Sequence, residues 1–575
     1  MQAPPGLAAQ DCAALSASVE ASLAAHNYAN AVFLAERLFA AGASDDTAFV
    51  LATAYYRAGK VKQARRVLHE RPSTQGHEAN RFLLARCCVD LGELVEAESL
   101  LAPADGAAPM GAAGQELLGT VYRRTNRRDL AIRAFRRALE QDATQWSAYQ
   151  NLCELAADVD SAEVFVAGGG GPGVGVPATM TPRADESAAA AGGGGAPGVM
   201  GLLRELGAGY NALCMYQCNT TIERLDALPP AQRNTGWVLA QIGRAYFELV
   251  DYAAAEKVFK QMRSVDPMRT EGLEIFSTLL WHLRKEVDLC YLAQQAVALE
   301  RRAWQCCCVV GNCFALQKEH EAALRFFQRA NQTAPAEPYA YTLAGHEHVA
   351  NEEFDRAQDF FRAAIRHDER HYNAWYGLGY VYYRQEKYEL AEYHFTRALQ
   401  INPRSSVLWC YRGLVKAAKA PRDAIPHARY AEALEDLESA LKIKIAGQPP
   451  NALAQYKKAS VLERMGRYDE SLSVLTSLKT TAPKEPSVQL LLGKVYRKLG
   501  QQCEAMHHYN MAVFLDPNKA DQVKAQQEKM SRARGHAQSS VRHRPHPIAP
   551  PAATPPPRRA ASRDLLGASA RVAFC

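Results

Sequence analysis

Small and apolar positions in this chain return on a fixed step of 34 residues. Gly209, Gly243, Gly311, Gly345, Gly379 and Gly413 share one lattice, with Ser277 in its single gap. Alanine recurs at 323, 357 and 391, phenylalanine at 327, 361 and 395, and a second alanine at 330, 364 and 398. Within each period the apolar residues fall three and four apart on two successive stretches, which is the stripe of an amphipathic helix. The fullest copy runs through Trp375, Leu378, Gly379, Tyr382, Tyr388, Ala391, Phe395, Ala398 and Pro403. The spacing predicts a pair of helices per period. Small residues let the two approach closely, aromatics fill the space between pairs, and proline stops the second helix.

A two-helix unit of this length, repeated in tandem, resembles the tetratricopeptide repeat, TPR. The expected fold class is therefore all-α, a superhelical TPR solenoid in two blocks separated by a flexible linker. In the first block Ala52, Ala85 and Gly119 hold the small-residue position, Ala64, Ala97 and Ala131 follow in the second helices, and Tyr28, Ala31 and Leu38 mark an earlier copy. This block of four repeats is expected over residues 1–157. Residues 158–200 contain GGGGPGVGVP and AAAAGGGGAP, too poor in large apolar side chains to build a core, and read as a linker. No GK[ST] follows these glycines, so they do not form a phosphate loop. About nine further repeats are expected over 201–521. A step of 46 between Gly413 and Ala459 inserts twelve residues around 421–428 and 446–450. Residues 522–575 read as a disordered, Pro-rich basic tail.

Charge changes this picture only at the end. The net charge of +6 hides a segment from Lys529 to Cys575 with nine Lys/Arg and one acid, so the helical body is close to neutral. The tail suits a nuclear-import signal or a solvated extension, and nucleic acid is not the expected partner. No run of about 18 apolar residues is present, which argues against a membrane span. The start MQAPPGLAAQDC lacks the basic and apolar regions of a secretion signal. The 14 cysteines include adjacent pairs inside helices and no C-x-x-C, so reduced packing thiols are expected rather than a metal site. The histidines lack nucleophile or metal-ligand partners at mechanistic spacing. His507 and His508 on the last second helix are expected to be solvated. With nearly every ordered residue used by a repeat, neither a catalytic domain nor a cofactor is expected. Thr181 and Thr554, each before proline, are candidate phosphorylation sites.

Positions two, five, nine and twelve of each first helix face the concave wall of such an array, the usual surface for holding a peptide. Counted from Tyr372, these are Asn373, Tyr376, Tyr380 and Tyr383; the two preceding repeats contribute His346 and Asn312. Tyrosines provide apolar area with a polar tip, and an Asn amide can bond both groups of a peptide unit. Packing against the next repeat is the alternative use of these rings. A carboxylate clamp of the co-chaperone kind needs Lys and Asn at positions five and nine of one repeat, but here Cys308 precedes Asn312 and Leu343 follows.

Several segments go beyond a generic repeat. NYANAVFLAERLFA (27–40), FVLATAYYRAGK (49–60), FLLARCCVDLGEL (82–94), GYNALCMYQCNTTIERLDALPP (209–230), NTGWVLAQIGRAYFEL (234–249), FSTLLWHLRKEV (276–287), HYNAWYGLGYVYYRQEKYELAEYHF (371–395) and LLGKVYRKLGQ (491–501) resemble the cell division cycle protein 27 family. That family is a TPR subunit of the anaphase-promoting complex, or cyclosome. The resemblance implies a non-catalytic scaffold of a multisubunit ubiquitin ligase, in the nucleus and cytoplasm, that promotes ubiquitination of cell-cycle proteins. It implies homodimerisation through the N-terminal repeats, association with other subunits, and capture of the C-terminal Ile-Arg tails of coactivators and of a core subunit. The groove of HYNAWYGLGYVYY is then the tail site, and Glu463 is a candidate partner for the tail arginine. Another TPR adaptor of the co-chaperone type is the alternative.

Overall fold

Apolar residues at three- and four-residue spacing fold into successive antiparallel helix pairs. The computed structural model describes residues 9–70, 77–102, 108–166, 198–419, 427–443, 451–517, 520–526 and 528, and among these every regular element is helical. The chain divides into two compact units at Arg233/Asn234. In the second unit eight pairs follow one another, from Gly236–Glu248 with Tyr252–Val265 to Pro486–Lys498 with Gln502–Leu515.

The lattice has a steric cause. Gly243, Gly311, Gly345 and Gly379 on first helices each lie under the ring sixteen residues later on the partner helix, while Gly209 faces Leu225 and Gly413 faces Leu437. A Cβ on Gly345 would sit 2.6 Å from Phe361, one on Gly243 would sit 2.8 Å from Phe259, and one on Gly379 would sit 2.9 Å from Phe395. Gly119 with Phe135 and Gly493 with Tyr509 repeat the arrangement. At Ser277 the residue sixteen later is Ala293, so a smaller partner compensates for the larger lattice residue.

A second periodic device ends the first helices. Tyr216, Val250, Arg284, Lys318, Glu352 and Glu386 stand 34 apart with φ of 56° to 65°, and Gly466 and Gly500 hold the same place farther on. One left-handed residue turns the chain back onto the helix just completed. In non-glycine residues it costs about 1–2 kcal/mol, which the surrounding helix packing offsets.

The first unit departs from the expected boundaries. Its pairs run from Ala9–Ala24 with Tyr28–Ala41 to Gly111–Arg124 with Arg128–Gln141. Trp146–Glu154 follows at the end of the expected first block, and the short Ser161–Val164 is helical inside the stretch assigned to the linker. Phe165 is fully buried, its ring 5.0 Å from that of Tyr149. The next helix, Val199–Cys214, packs on the same surface: a Cβ on Gly207 would meet both rings at 3.0 Å, and Arg204 donates to the Phe165 carbonyl at 2.8 Å. Tyr210 donates to Glu154 at 2.8 Å. Helix Val199–Cys214 thus packs on the helices that precede the glycine-rich stretch, and residues 158–166 belong to that core. One aromatic, Phe165, supplies the burial that composition does not reveal.

Residues 167–197 with Thr181, most of the inserted stretches at 421–428 and 446–450, and residues 529–575 with Thr554 lie outside the described residues. Past the expected end at 521, residues 520–526 are helical, and Val523 is buried beside Leu490 and Tyr509.

Candidate peptide groove

Unit two carries the predicted wall on three consecutive first helices, Trp304–Leu316, Pro338–Ala350 and Tyr372–Arg384. The rings of His346 and Tyr376 lie 6.4 Å apart, Tyr376 and Tyr380 stack at 6.4 Å, and both tyrosines meet Tyr411 of the next repeat edge-on at 5.4 and 6.0 Å. Tyr376 and Tyr380 are each only 2% exposed. Their rings are thus core between repeats, which is the packing alternative, because Phe395 and Tyr411 close over them. Tyr383 remains partly exposed near Tyr388, and burial pushes its phenol up to about 12.

The two asparagines diverge. Asn312 donates to Ser277 Oγ at 2.9 Å and Thr278 Oγ1 at 3.0 Å, and Thr278 bonds Tyr339 Oη at 2.7 Å. Its amide is engaged by the neighbouring repeat. Asn373 is equally buried, yet its Oδ1 has no hydrogen-bond partner among the described residues. A buried acceptor left this way costs about 1–3 kcal/mol, so a ligand N–H there would be favoured.

Beside Asn373 lies an acid that sequence counting missed. Tyr372 Oη donates to Glu248 Oε2 at 2.7 Å, across 124 residues of chain. Glu248, Phe247, Tyr252, Tyr372, Asn373 and Tyr376 line a small cavity of about 20 Å³, room for roughly one water. Burial raises the Glu248 carboxyl above its ordinary range, opposed by Arg244 and the Tyr372 hydrogen bond. Glu274, which accepts from Gly272 N at 3.0 Å, is pushed by burial up to about 7. On the step of 34 Glu274 is equivalent to Tyr376, the inward fifth position, so the pattern held a signal for it; nothing periodic marks Glu248. Glu463 lies elsewhere, partly exposed and electrostatically coupled to Tyr456 and Tyr509.

The histidines are not solvated as a class. His508, expected in water, is 6% exposed, stacked on Tyr496 at 5.3 Å and hydrogen-bonded through Nδ1 to Gln489 Oε1 at 2.7 Å. Burial holds it down to about 4. One cluster with metal-ligand types, Cys88 with Glu93 and Glu96, already contains a cation: Arg65 meets Glu93 at 2.6 Å and Glu96 at 2.7 Å. Among the described residues no helix is long and apolar enough to cross a membrane.

The paired helices and their periodic packing define a tetratricopeptide-repeat protein. Tetratricopeptide repeat families match residues 116–145 and 342–406. A crystal structure described as the APC/C hetero-tetramer Cut9-Hcn1 superposes with a TM-score of 0.63, covering 91% of this chain and 96% of that one at 17% identity; this supports the fold. The family described as "Anaphase-promoting complex, cyclosome, subunit 3" matches residues 24–104. Anaphase-promoting complex subunit 3 of Schizosaccharomyces pombe is 41% identical over 318 residues, 55% of this chain and 46% of that protein. Cell division cycle protein 27 homolog B of Arabidopsis thaliana is 43% identical over 334 residues, 58% of this chain and 43% of that protein. By sequence the chain is similar to anaphase-promoting complex subunit 3 and cell division cycle protein 27 homologs. It spans less than half the length of these curated relatives.

Proposed function

We propose that this protein is a non-catalytic TPR scaffold of the anaphase-promoting complex, working in nucleus and cytoplasm, whose second unit holds C-terminal Ile-Arg tails of coactivators and of a core subunit. The similarity to subunit 3 supports the assembly, and one observation carries the site: the unsatisfied Asn373 Oδ1 lies beside Tyr372, which is bonded to the desolvated acid Glu248. A tail backbone N–H satisfies the amide oxygen. A guanidinium replaces the Tyr372 hydroxyl on Glu248, and a fixed cation there favours the ionised carboxylate that burial disfavours. Glu248, bonded to Tyr372 beside Asn373, is proposed in place of Glu463, which sits on helix Ala452–Arg464 near Tyr456 and Tyr509. Tyr376 lines the cavity, Tyr380 and His346 pack behind it, Tyr383 is the open edge, and Asn312 fixes the neighbouring helix.

Titration of the full chain with a peptide ending in Ile-Arg tests this reading. Asn373→Ala should weaken binding about tenfold, and Glu248→Gln between tenfold and a hundredfold, from the loss of a neutral and a charge-assisted hydrogen bond. Glu248→Gln should also abolish the preference over a peptide ending in Ile-Ala. Affinity and preference unchanged in both variants reject the groove. Tyr376 is unsuitable for truncation because its ring is core.

The first unit is proposed as a two-fold homodimer surface, in keeping with the resemblance to the cell division cycle protein 27 family. Light scattering of the full chain at micromolar concentration should report twice its 63.2 kDa, and a strictly monomeric mass argues against it.

A further inference from the structure

Two cysteines from adjacent repeats meet outside the groove. Cys290, on helix Glu286–Glu300, has its Sγ 3.3 Å from the Sγ of Cys313, on helix Trp304–Leu316. Gln317 Nε2 lies 3.5 Å from the Cys290 sulfur and 3.4 Å from Glu286 Oε1. The two thiols differ in surroundings. Cys290 is partly exposed on a helix face where Val287 and Tyr291 are 81% and 63% exposed, whereas Cys313 is 9% exposed within the core.

We propose that Cys290 and Cys313 form a peroxide-sensitive dithiol, a modification site in which Cys290 is the attacking sulfur and Cys313 the resolving one. The geometry assigns these roles. Reagents in water reach Cys290, and its sulfur lies within hydrogen-bonding distance of the Gln317 amide and of the Cys313 thiol. Burial pushes the Cys313 thiol up to about 12, so it stays protonated. With a hydroperoxide as oxidant, Cys290 loses its proton to water and attacks the distal oxygen; an S–O bond forms, the O–O bond breaks, and the alcohol or water leaves with a proton. Cys313 sulfur then attacks the Cys290 sulfenic acid: the S–S bond forms, the S–O bond breaks, and hydroxyl leaves with the Cys313 proton as water. Two thiols are oxidised by two electrons and one peroxide is reduced. The sulfurs need only close from 3.3 Å to about 2.05 Å. The bond would staple the second helix of one repeat to the first helix of the next, across 23 residues, raising the thermal midpoint of the second unit.

The test uses the reduced full chain with one equivalent of hydrogen peroxide. Non-reducing peptide mapping should show peptides 286–301 and 303–318 joined, two hydrogens lighter, with fragment ions placing the bond at Cys313 rather than at Cys306, Cys307 or Cys308. Dithiothreitol should separate them. Cys290→Ser should abolish the link; Cys313→Ser should abolish it and leave a Cys290 sulfenic acid trapped by dimedone. The proposal is overturned if exposed Cys503 oxidises while the link is absent, or if fragment ions place it on another cysteine. Mapping of the unsubstituted chain decides the matter even if a variant fails to fold.

Discussion

Gly379→Glu is expected to lower the stability of the second unit by about 4 kcal/mol. The new Cβ would stand 2.9 Å from Cδ1 and Cε1 of Phe395, closer than real Cβ contacts allow. Phe395 has nowhere to retreat. It is fully buried, with Tyr376 at 5.8 Å and Tyr411 at 5.7 Å against it. Overpacking of this kind costs about 1–3 kcal/mol, and burying a carboxylate without a partner in the same space destabilises by at least as much again. Because a solenoid's stability adds up from its repeats and the interfaces between neighbours, damage to this pair also weakens its contacts with the pairs on either side. The urea midpoint followed by helical circular dichroism measures the loss, and Gly379→Ala, which adds the Cβ alone, should fall between variant and parent. An unshifted midpoint for Gly379→Glu would mean that the ring can yield and that the close approach is dispensable.

Acidification from pH 7 to 4.5 should destabilise the second unit by at least about 2 kcal/mol, with less change in the first. Burial holds His346 down to about 3 and His371, His394 and His508 to about 4. His346 is further opposed by His371 and His282, His371 by Arg244, His394 by Arg362 and His508 by Lys479 and His507; Asp368 and Glu504 act the other way on His371 and His508. The unfolded chain takes up these protons near pH 6.5 and the folded one does not. Stability therefore falls as pH drops from about 6.5 towards 4, by about 1.4 kcal/mol per pH unit for each histidine. Buried acids oppose the trend, because burial raises Glu274 to about 7 and raises Glu248 and Glu347 above their ordinary range, so the folded state takes up their protons more readily than the unfolded one. If each of these three cancels one histidine, one remains, and it alone accounts for the stated loss. Urea midpoints at the two pH values check the sign; a second unit more stable at pH 4.5 would show that the acids prevail.

Legibility in this chain followed the range of the contact. Gly379 and Phe395 are sixteen apart and Tyr376 and Tyr411 thirty-five, and such pairs recur, so the step of 34 displayed them as a pattern. The linker edges escaped because they depend on a single ring: Phe165 brings residues 158–166 into the core through Tyr149 and Gly207. His508 escaped for a similar reason, since its burial depends on Tyr496 and Gln489 of the preceding helix.

By itself the sequence determined an all-helical array and the pairing of helices within each period, because most repeats present a small residue to a bulky partner at the same spacing; the similarity to subunit 3 was legible in the segments between those lattice positions. Tertiary structure alone decided which inward side chains remain available to a ligand. It turned Tyr376 and Tyr380 into packing, left the Asn373 oxygen unsatisfied, and set Glu248 against Tyr372 from 124 residues away. That last contact depends on the small rotation each pair adds to the one before it, a quantity accumulated over several repeats and printed in none of them.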